Sequence, residues 1–150
     1  MKQPDPTEFF TQYLRRNNLR VTPERFEVLD AVMQCDGHFD ADDLFLRMKN
    51  AGSKVSRATV YNTLDKLTEC GILSRYRFGE RLARYELVLG TEHHHHIICR
   101  RCGRIEEFVD KRVDRFARDA ARIMRFEFDD AVLHIYGLCA ECVAEAGRKA

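Results

Sequence analysis

Ser56-Arg57-Ala58-Thr59-Val60-Tyr61-Asn62-Thr63-Leu64-Asp65-Lys66-Leu67 is the stretch on which the fold turns. Ser56 is a good N-cap, and Gly71 beyond the far end is a natural C′ residue, so the spacing predicts one helix between them. Val60, Leu64 and Leu67 fall at i, i+4 and i+7 and so share the core-facing side. Ala58, Tyr61, Asn62, Asp65 and Lys66 then project to the opposite side. Downstream, residues 72–78 and 82–87 read as two strands around a Gly79-Glu80 turn. Upstream lie three shorter helical patterns. Residues 7–16 carry Phe9, Phe10, Tyr13 and Leu14. Thr22-Pro23-Glu24-Arg25 is a helix start with Pro at the first helical position, followed by Phe26, Leu29, Ala31, Val32 and Met33 up to about Gln34. Residues 41–48 carry Leu44, Phe45 and Met48 inward. Several short helices followed by a hairpin form a winged helix-turn-helix pattern.

The pattern changes after residue 88. Residues 89–92 read as a hinge, 93–99 and 105–109 as strands, 110–124 as a helix and 126–137 as a long strand before a short cysteine-bearing tail. Val113, Phe116, Ala120 and Met124 share one face of that helix. The class is α+β: an N-terminal winged-helix domain over 1–88 and a C-terminal α/β domain over 93–150.

The chain of 150 residues is 45% hydrophobic and 33% charged, which describes a globular protein and not a disordered one. No run of 18 apolar residues exists, so no membrane span is expected. The N-terminus shows no apolar signal-peptide core, and the expected location is the cytoplasm, where thiols stay reduced. Net charge is +1. Residues 1–88 carry 14 Lys+Arg against 13 Asp+Glu, and 89–150 carry 11 of each. With no polyelectrolyte excess, any nucleic-acid binding must use a local patch.

Six cysteines in a reducing compartment favour metal ligation over disulfides. Cys99-Arg-Arg-Cys102 and Cys139-Ala-Glu-Cys142 each present two thiolates to one ion, and together they make a closed tetrahedral site suited to Zn²⁺. Such a site staples the start of the second half to its C-terminus. A redox pair would sit alone beside a βαβ unit, which is absent. Cys35 and Cys70 lie near helix ends and read as core residues.

His93-His94-His95-His96 precedes the first pair. On a strand, His94 and His96 share one face and His93 and His95 the other, and two His at i and i+2 can chelate one ion. The alternative is a solvated polar edge. His38, Glu86, Glu107 and Asp114 are further candidate ligands, but sequence spacing alone cannot bring His38 to the same ion as His94.

Ser56-Arg57-Ala58-Thr59-Val60-Tyr61, the segment from His93 to Gly103, and Tyr136-Gly137-Leu138-Cys139 together resemble the ferric uptake regulator family, in order and over nearly the whole chain. The resemblance implies a homodimeric, metal-dependent transcriptional repressor with a C-terminal dimerisation domain. It implies structural zinc at Cys99, Cys102, Cys139 and Cys142. It implies a regulatory site at His38, Glu86, His94, His96 and Glu107. Because those ligands come from both halves of the chain, metal would favour the closed dimer whose two recognition helices fit successive major grooves. His93, His95 and Asp114 match three positions of a third site, whose expected fourth histidine is Ala131 here. Within the family, Glu107 rather than Asp points to Fe²⁺ sensing, with Mn²⁺ or Zn²⁺ able to substitute. Asn62, where many iron sensors have Arg, keeps peroxide sensing as the alternative, alongside zinc or manganese sensing.

Tyr61, on the solvent face, suits contact with thymine methyls, the alternative being packing against the wing. Arg57 and Thr59 near the helix N-terminus suit phosphate. Arg20 occupies the place where relatives use Lys to reach a minor groove. The expected partner is double-stranded DNA with an AT-rich inverted repeat. The chain is not expected to be an enzyme: no His-Glu-x-x-His or comparable arrangement appears. The other classes weighed are a water-activating metalloenzyme and a zinc-stapled interaction domain without sensing.

Overall fold

The computed structural model describes residues 5–77 and 83–147. The expected Gly79-Glu80 turn, and the strand ends expected at Phe78 and Leu82, lie outside the described residues. The chain divides into two compact units, Met1–Glu92 and His93–Ala150.

In the first unit, Asp5 opens α1 (Pro6–Arg16), its carboxylate accepting from the Thr7 and Glu8 N–H groups. Pro at the first helical position starts α2 (Pro23–Met33), although the Thr22 side chain makes no capping bond. Gln34 follows, and His38–Phe39 forms a two-residue strand, β1. Asp40 caps α3 (Ala41–Asn50), accepting from Asp43 N–H at 2.8 Å. Ser56 caps α4 (Arg57–Glu69) through Thr59 N–H. Cys70 ends α4, and Gly71 adopts φ +81°, a left-handed position suited to glycine. β2 (Leu73–Tyr76) and β3 (Arg84–Leu87) pair antiparallel, and β1 joins the far edge of β3, giving the order β1-β3-β2.

The core of this unit is continuous. Phe10, Leu14, Val28, Leu29, Val32, Leu44, Val60, Leu64, Leu67 and Ile72 are all buried. The three apolar positions of α4 at i, i+4 and i+7 are fully excluded from solvent, so the helix presents its other side outward. Cys35 is buried in this core, and Cys70 packs against it.

The second unit is built on β4 (His95–Cys99), with β5 (Ile105–Phe108) antiparallel on one side and β6 (His134–Gly137) parallel on the other. α5 (Lys111–Ile123) follows β5, capped by Asp110 through Arg112 N–H at 2.9 Å. Two regions differ from the sequence reading. The strand expected over 126–137 is ordered as strand only at His134–Gly137, because β4 offers five residues to pair with. The cysteine-bearing tail is a helix, α6 (Ala140–Gly147).

This unit buries little apolar surface. Among its described residues only Ile98, Cys99 and Cys142, with His95 and His96, are buried. No residue of α5 is buried, and Phe116 on it is 74% exposed. Ile123, Met124, Phe126 and Ile135 are exposed as well. An apolar face of that extent is the mark of an association surface. No helix among the described residues is long and apolar enough to cross a membrane.

Candidate metal centres and nucleic-acid face

Cys99 ends β4, Cys102 sits in the turn toward β5, and Cys139 and Cys142 flank the start of α6. The four sulfurs lie within 4.8 Å of one another. A tetrahedron with metal–sulfur bonds of about 2.3 Å has sulfur–sulfur edges of about 3.8 Å. Cys102 Sγ and Cys139 Sγ stand 3.7 Å apart, the length of one edge of such a tetrahedron. Backbone N–H groups are turned toward the sulfurs. That of Cys102, then that of Cys139, holds the Cys99 thiol down to about 5. Burial, then the neighbouring Cys139 thiol, pushes Cys142 up to about 12. One thiol ionises readily and another resists it, which is the behaviour of a crowded sulfur cluster that a divalent cation would relieve.

The histidine run splits as strand alternation demands. The His94 and His96 rings stand 5.1 Å apart, and the His93 and His95 rings 5.2 Å apart. On the first face, His96 is the cross-strand partner of Glu107, and His94 Nε2 is 3.9 Å from Glu107 Oε2. His134, the parallel partner of His96 on β6, brings a third imidazole to this face, its ring 5.4 Å from that of His96. The sequence reading missed His134. Its i−5 spacing from Cys139 carries no signal until the register of β6 against β4 is known. In the first unit, His38 and Glu86 form a nitrogen–oxygen pair on β1 and β3, with His38 Nε2 3.3 Å from Glu86 Oε2. That separation suits two ligands of one ion with bonds of about 2.1 Å.

On the second face, His93 Nε2 is 3.4 Å and His95 Nε2 3.7 Å from Asp114 Oδ1 on α5. The three donors lie within 4.8 Å of one another. His95 is 1% exposed and packs edge-on against Phe108. His93 Nε2 lies 2.9 Å from the Ala131 carbonyl oxygen, and its Nδ1 is 3.5 Å from Asp130. The backbone of residue 131 therefore borders this cluster, but its methyl side chain brings no donor.

The outward side of α4 carries the residues expected to meet nucleic acid. Arg57, Tyr61 and Asn62 are exposed on it, and Thr59 is half-buried, its hydroxyl sharing a 2.8 Å hydrogen bond with Ser56. Tyr61 Oη donates to Asp42 Oδ1 at 2.7 Å. Tyr61 also borders a cleft of about 300 Å³ with Arg75 and Tyr85 of the hairpin. The hairpin thus forms part of the surroundings of Tyr61, which is 39% exposed. Arg20, between α1 and α2, is exposed, and its carbonyl accepts from Arg25 at 3.0 Å.

The model of the ferric uptake regulator family matches residues 16–136 of this chain. The chain is 35% identical over 133 residues to the ferric uptake regulation protein of Legionella pneumophila, covering 88% of this chain and 97% of that one. It is 33% identical over 129 residues to the peroxide operon regulator of Bacillus subtilis (strain 168), covering 86% and 88% respectively. Among solved structures, the ferric uptake regulator from Francisella tularensis with iron superposes with a TM-score of 0.70 at 33% identity, covering 83% of this chain and 95% of that chain.

Proposed function

The chain belongs to the ferric uptake regulator family of metal-responsive, DNA-binding transcriptional regulators, and on that premise we propose that it is an Fe²⁺-sensing repressor of iron-homeostasis genes. Members of this family are dimeric regulators and not enzymes. Cys99, Cys102, Cys139 and Cys142 hold a structural Zn²⁺. His38, Glu86, His94, His96 and Glu107 hold the regulatory ion, for which Mn²⁺ or Zn²⁺ substitutes. The ion supplies positive charge that N and O donors share, and the residues do the rest. Residues 89–92 act as the hinge between a DNA-binding domain over 1–88 and a dimerisation domain over 93–150. A third cation site at His93, His95 and Asp114 is incomplete at position 131.

The observation that carries this reading is a nitrogen–oxygen donor set within each unit. His38 with Glu86 in one unit, and His94 with His96 and Glu107 in the other, each fall short of a full coordination sphere. An ion that needs both sets binds one arrangement of the two units better than others. It therefore shifts the population toward that arrangement by its differential affinity. In the dimer, joined through the exposed face of α5, that arrangement sets two copies of α4 to read an AT-rich inverted repeat. Tyr61 contacts thymine methyls, Arg57, Thr59 and Asn62 contact the groove and its phosphates, and Arg20 reaches the minor groove.

Gel shift with EDTA-treated protein, reloaded with Fe²⁺, Mn²⁺ or Zn²⁺, tests the reading. Binding only after reloading supports a sensor. Metal-independent binding makes the chain a constitutive zinc-stapled module, and turnover of a substrate would make it a metalloenzyme. Asn62 and the similarity to the Bacillus subtilis regulator favour peroxide sensing as the second reading. Peroxide treatment of the iron form separates the two. One added oxygen on His38 or His94 with loss of operator binding marks the peroxide sensor.

A further inference from the structure

Asp42 is the second residue of α3, and its carboxylate takes two donors from α4. Arg57 Nη2 donates to it at 2.7 Å and Tyr61 Oη at 2.7 Å. The Arg57 guanidinium also lies over the Tyr61 ring, 5.8 Å from its centroid. All three side chains are open to solvent, with Arg57 61% and Asp42 37% exposed. Tyr61 is 39% exposed.

α3 is capped by Asp40, and Asp42 adds only a first-turn charge to it. The nearby Asp65 is engaged elsewhere, with Arg75 Nη1 at 3.0 Å. Asp42 reaches two of the four side chains of α4 that the functional reading assigns to DNA, Arg57 and Tyr61. A carboxylate is the closest protein counterpart of the two non-bridging oxygens of a phosphodiester: both carry one negative charge and accept from guanidinium and hydroxyl donors. Near the N-terminus of α4, where the helix dipole favours an anion, Asp42 offers Arg57 and Tyr61 the same kind of acceptor that a phosphate would.

We propose that Asp42 is an affinity-setting residue of DNA recognition, an intramolecular anion that competes with backbone phosphate for Arg57 and Tyr61. Before α4 engages a duplex, Arg57 and Tyr61 must leave Asp42. The carboxylate then remains beside the phosphates and recruits a cation from solution. The exchange weakens binding to every duplex and reduces net counterion release. It holds the metal-free protein below the affinity needed to occupy its operator. A metal-linked gain of the usual few tens of fold then makes the difference between free and bound. The inference rests on the reading of α4 as the DNA-contacting helix.

The test uses full-length protein and two fluorescein-labelled duplexes, an AT-rich inverted repeat and a scrambled sequence of the same composition. Anisotropy is read over a KCl series, with and without Mn²⁺. Asp42→Asn is expected to bind both duplexes about three- to tenfold tighter, with a log K against log[salt] slope steeper by about one. It is also expected to retain the inverted repeat without added Mn²⁺. Asp43→Asn removes the same charge one residue along and should gain less. The gain of Asp42→Asn should shrink in an Arg57→Ala background and vanish when Tyr61→Phe is added, which a general loss of negative charge would not do. Unchanged or weaker binding by Asp42→Asn at unaltered Tm overturns the proposal, as does a gain that survives undiminished when Arg57→Ala and Tyr61→Phe are combined. Should Asp42→Asn lower Tm, Asp42→Ser serves in its place under the same criteria. If Arg57→Ala and Tyr61→Ala both leave operator affinity unchanged, the DNA reading of α4 itself fails. If they weaken it and Asp42→Asn gains nothing, only this inference falls.

Discussion

His38 and Glu86 are cross-strand partners, with His38 Nε2 3.3 Å from Glu86 Oε2, although 47 residues separate them in sequence. The pairing exists because a two-residue strand, β1, adds to the free edge of β3. Both side chains are nearly buried, so the carboxylate is held where a nitrogen donor already stands. Glu86→Gln keeps the shape and removes the charge. It is expected to weaken Mn²⁺ binding by at least about tenfold, on the scale of losses seen around metal ligands. Zinc content should stay unchanged. Isothermal titration of the zinc-bound protein with Mn²⁺, beside elemental analysis, measures both. An unaltered Mn²⁺ affinity would remove Glu86 from the regulatory set.

Cys102→Ser is expected to act on the second unit as a whole. That unit buries little besides Ile98, Cys99, Cys142 and two histidines, so its sheet has few apolar contacts to fall back on. Zinc at the four cysteines would join the turn after β4 to the start of α6, and such a site contributes folding free energy directly. The variant should purify without zinc, melt at lower temperature and dissociate to monomer on size-exclusion chromatography. Zinc retention with an intact dimer would show that three sulfurs suffice.

Local signals explain which parts of this architecture were legible in the sequence. The Ser56 cap, the Val60-Leu64-Leu67 period and Gly71 specify α4 with no help from the rest of the chain, and α4 runs Arg57–Glu69 with those three residues buried. Alternation likewise sorts His94 and His96 from His93 and His95. Partners distant in sequence were not legible. β1 has two residues and no periodicity, and its existence depends on an edge of β3. β6 is shorter than the strand expected over 126–137 because its length is set by pairing with β4. His134 and Asp42 acquire their neighbours through sheet register and helix packing, which no spacing rule encodes. His38 and Glu86 entered as candidates through family resemblance alone.

Tyr13 on α1 donates a 2.6 Å hydrogen bond to Glu69 Oε2 at the end of α4, closing the first unit across 56 residues. That bond, then burial, pushes the Tyr13 phenol up to about 12. Lys66, then Tyr13, lowers the Glu69 carboxyl. The signs define a window. A raised phenol pKa stabilises fully below its ordinary value of 10.0, and the contribution is lost as pH rises toward about 12. A lowered carboxyl stabilises above its ordinary value of 4.5 and loses its contribution as pH falls through the folded value. Tyr13→Phe should therefore lower Tm by about 2–5 °C at pH 7. The difference should shrink at both acid and strongly alkaline pH. A difference independent of pH would assign the effect to packing against Phe10, whose ring stacks on Tyr13.

Ala131→His tests the third cluster by restoring the imidazole that the family pattern places there. His93, His95 and Asp114 already converge, and the residue 131 carbonyl lies 2.9 Å from His93 Nε2, so the new side chain starts beside the donors it must join. In the wild type that carbonyl can accept a hydrogen bond from His93 Nε2, which then carries the proton and has no lone pair for a cation. A fourth donor shifts the balance toward the cation-bound arrangement. In a Glu86→Gln background, which weakens the regulatory site, Co²⁺ titration of the zinc-bound protein should gain about one equivalent per chain on Ala131→His. The d–d absorption should report nitrogen and oxygen ligands. His95→Ala should abolish that gain. If Ala131→His leaves stoichiometry and affinity where they were, the convergence of His93, His95 and Asp114 is a hydrogen-bonded brace between β4 and α5, and no cation belongs there.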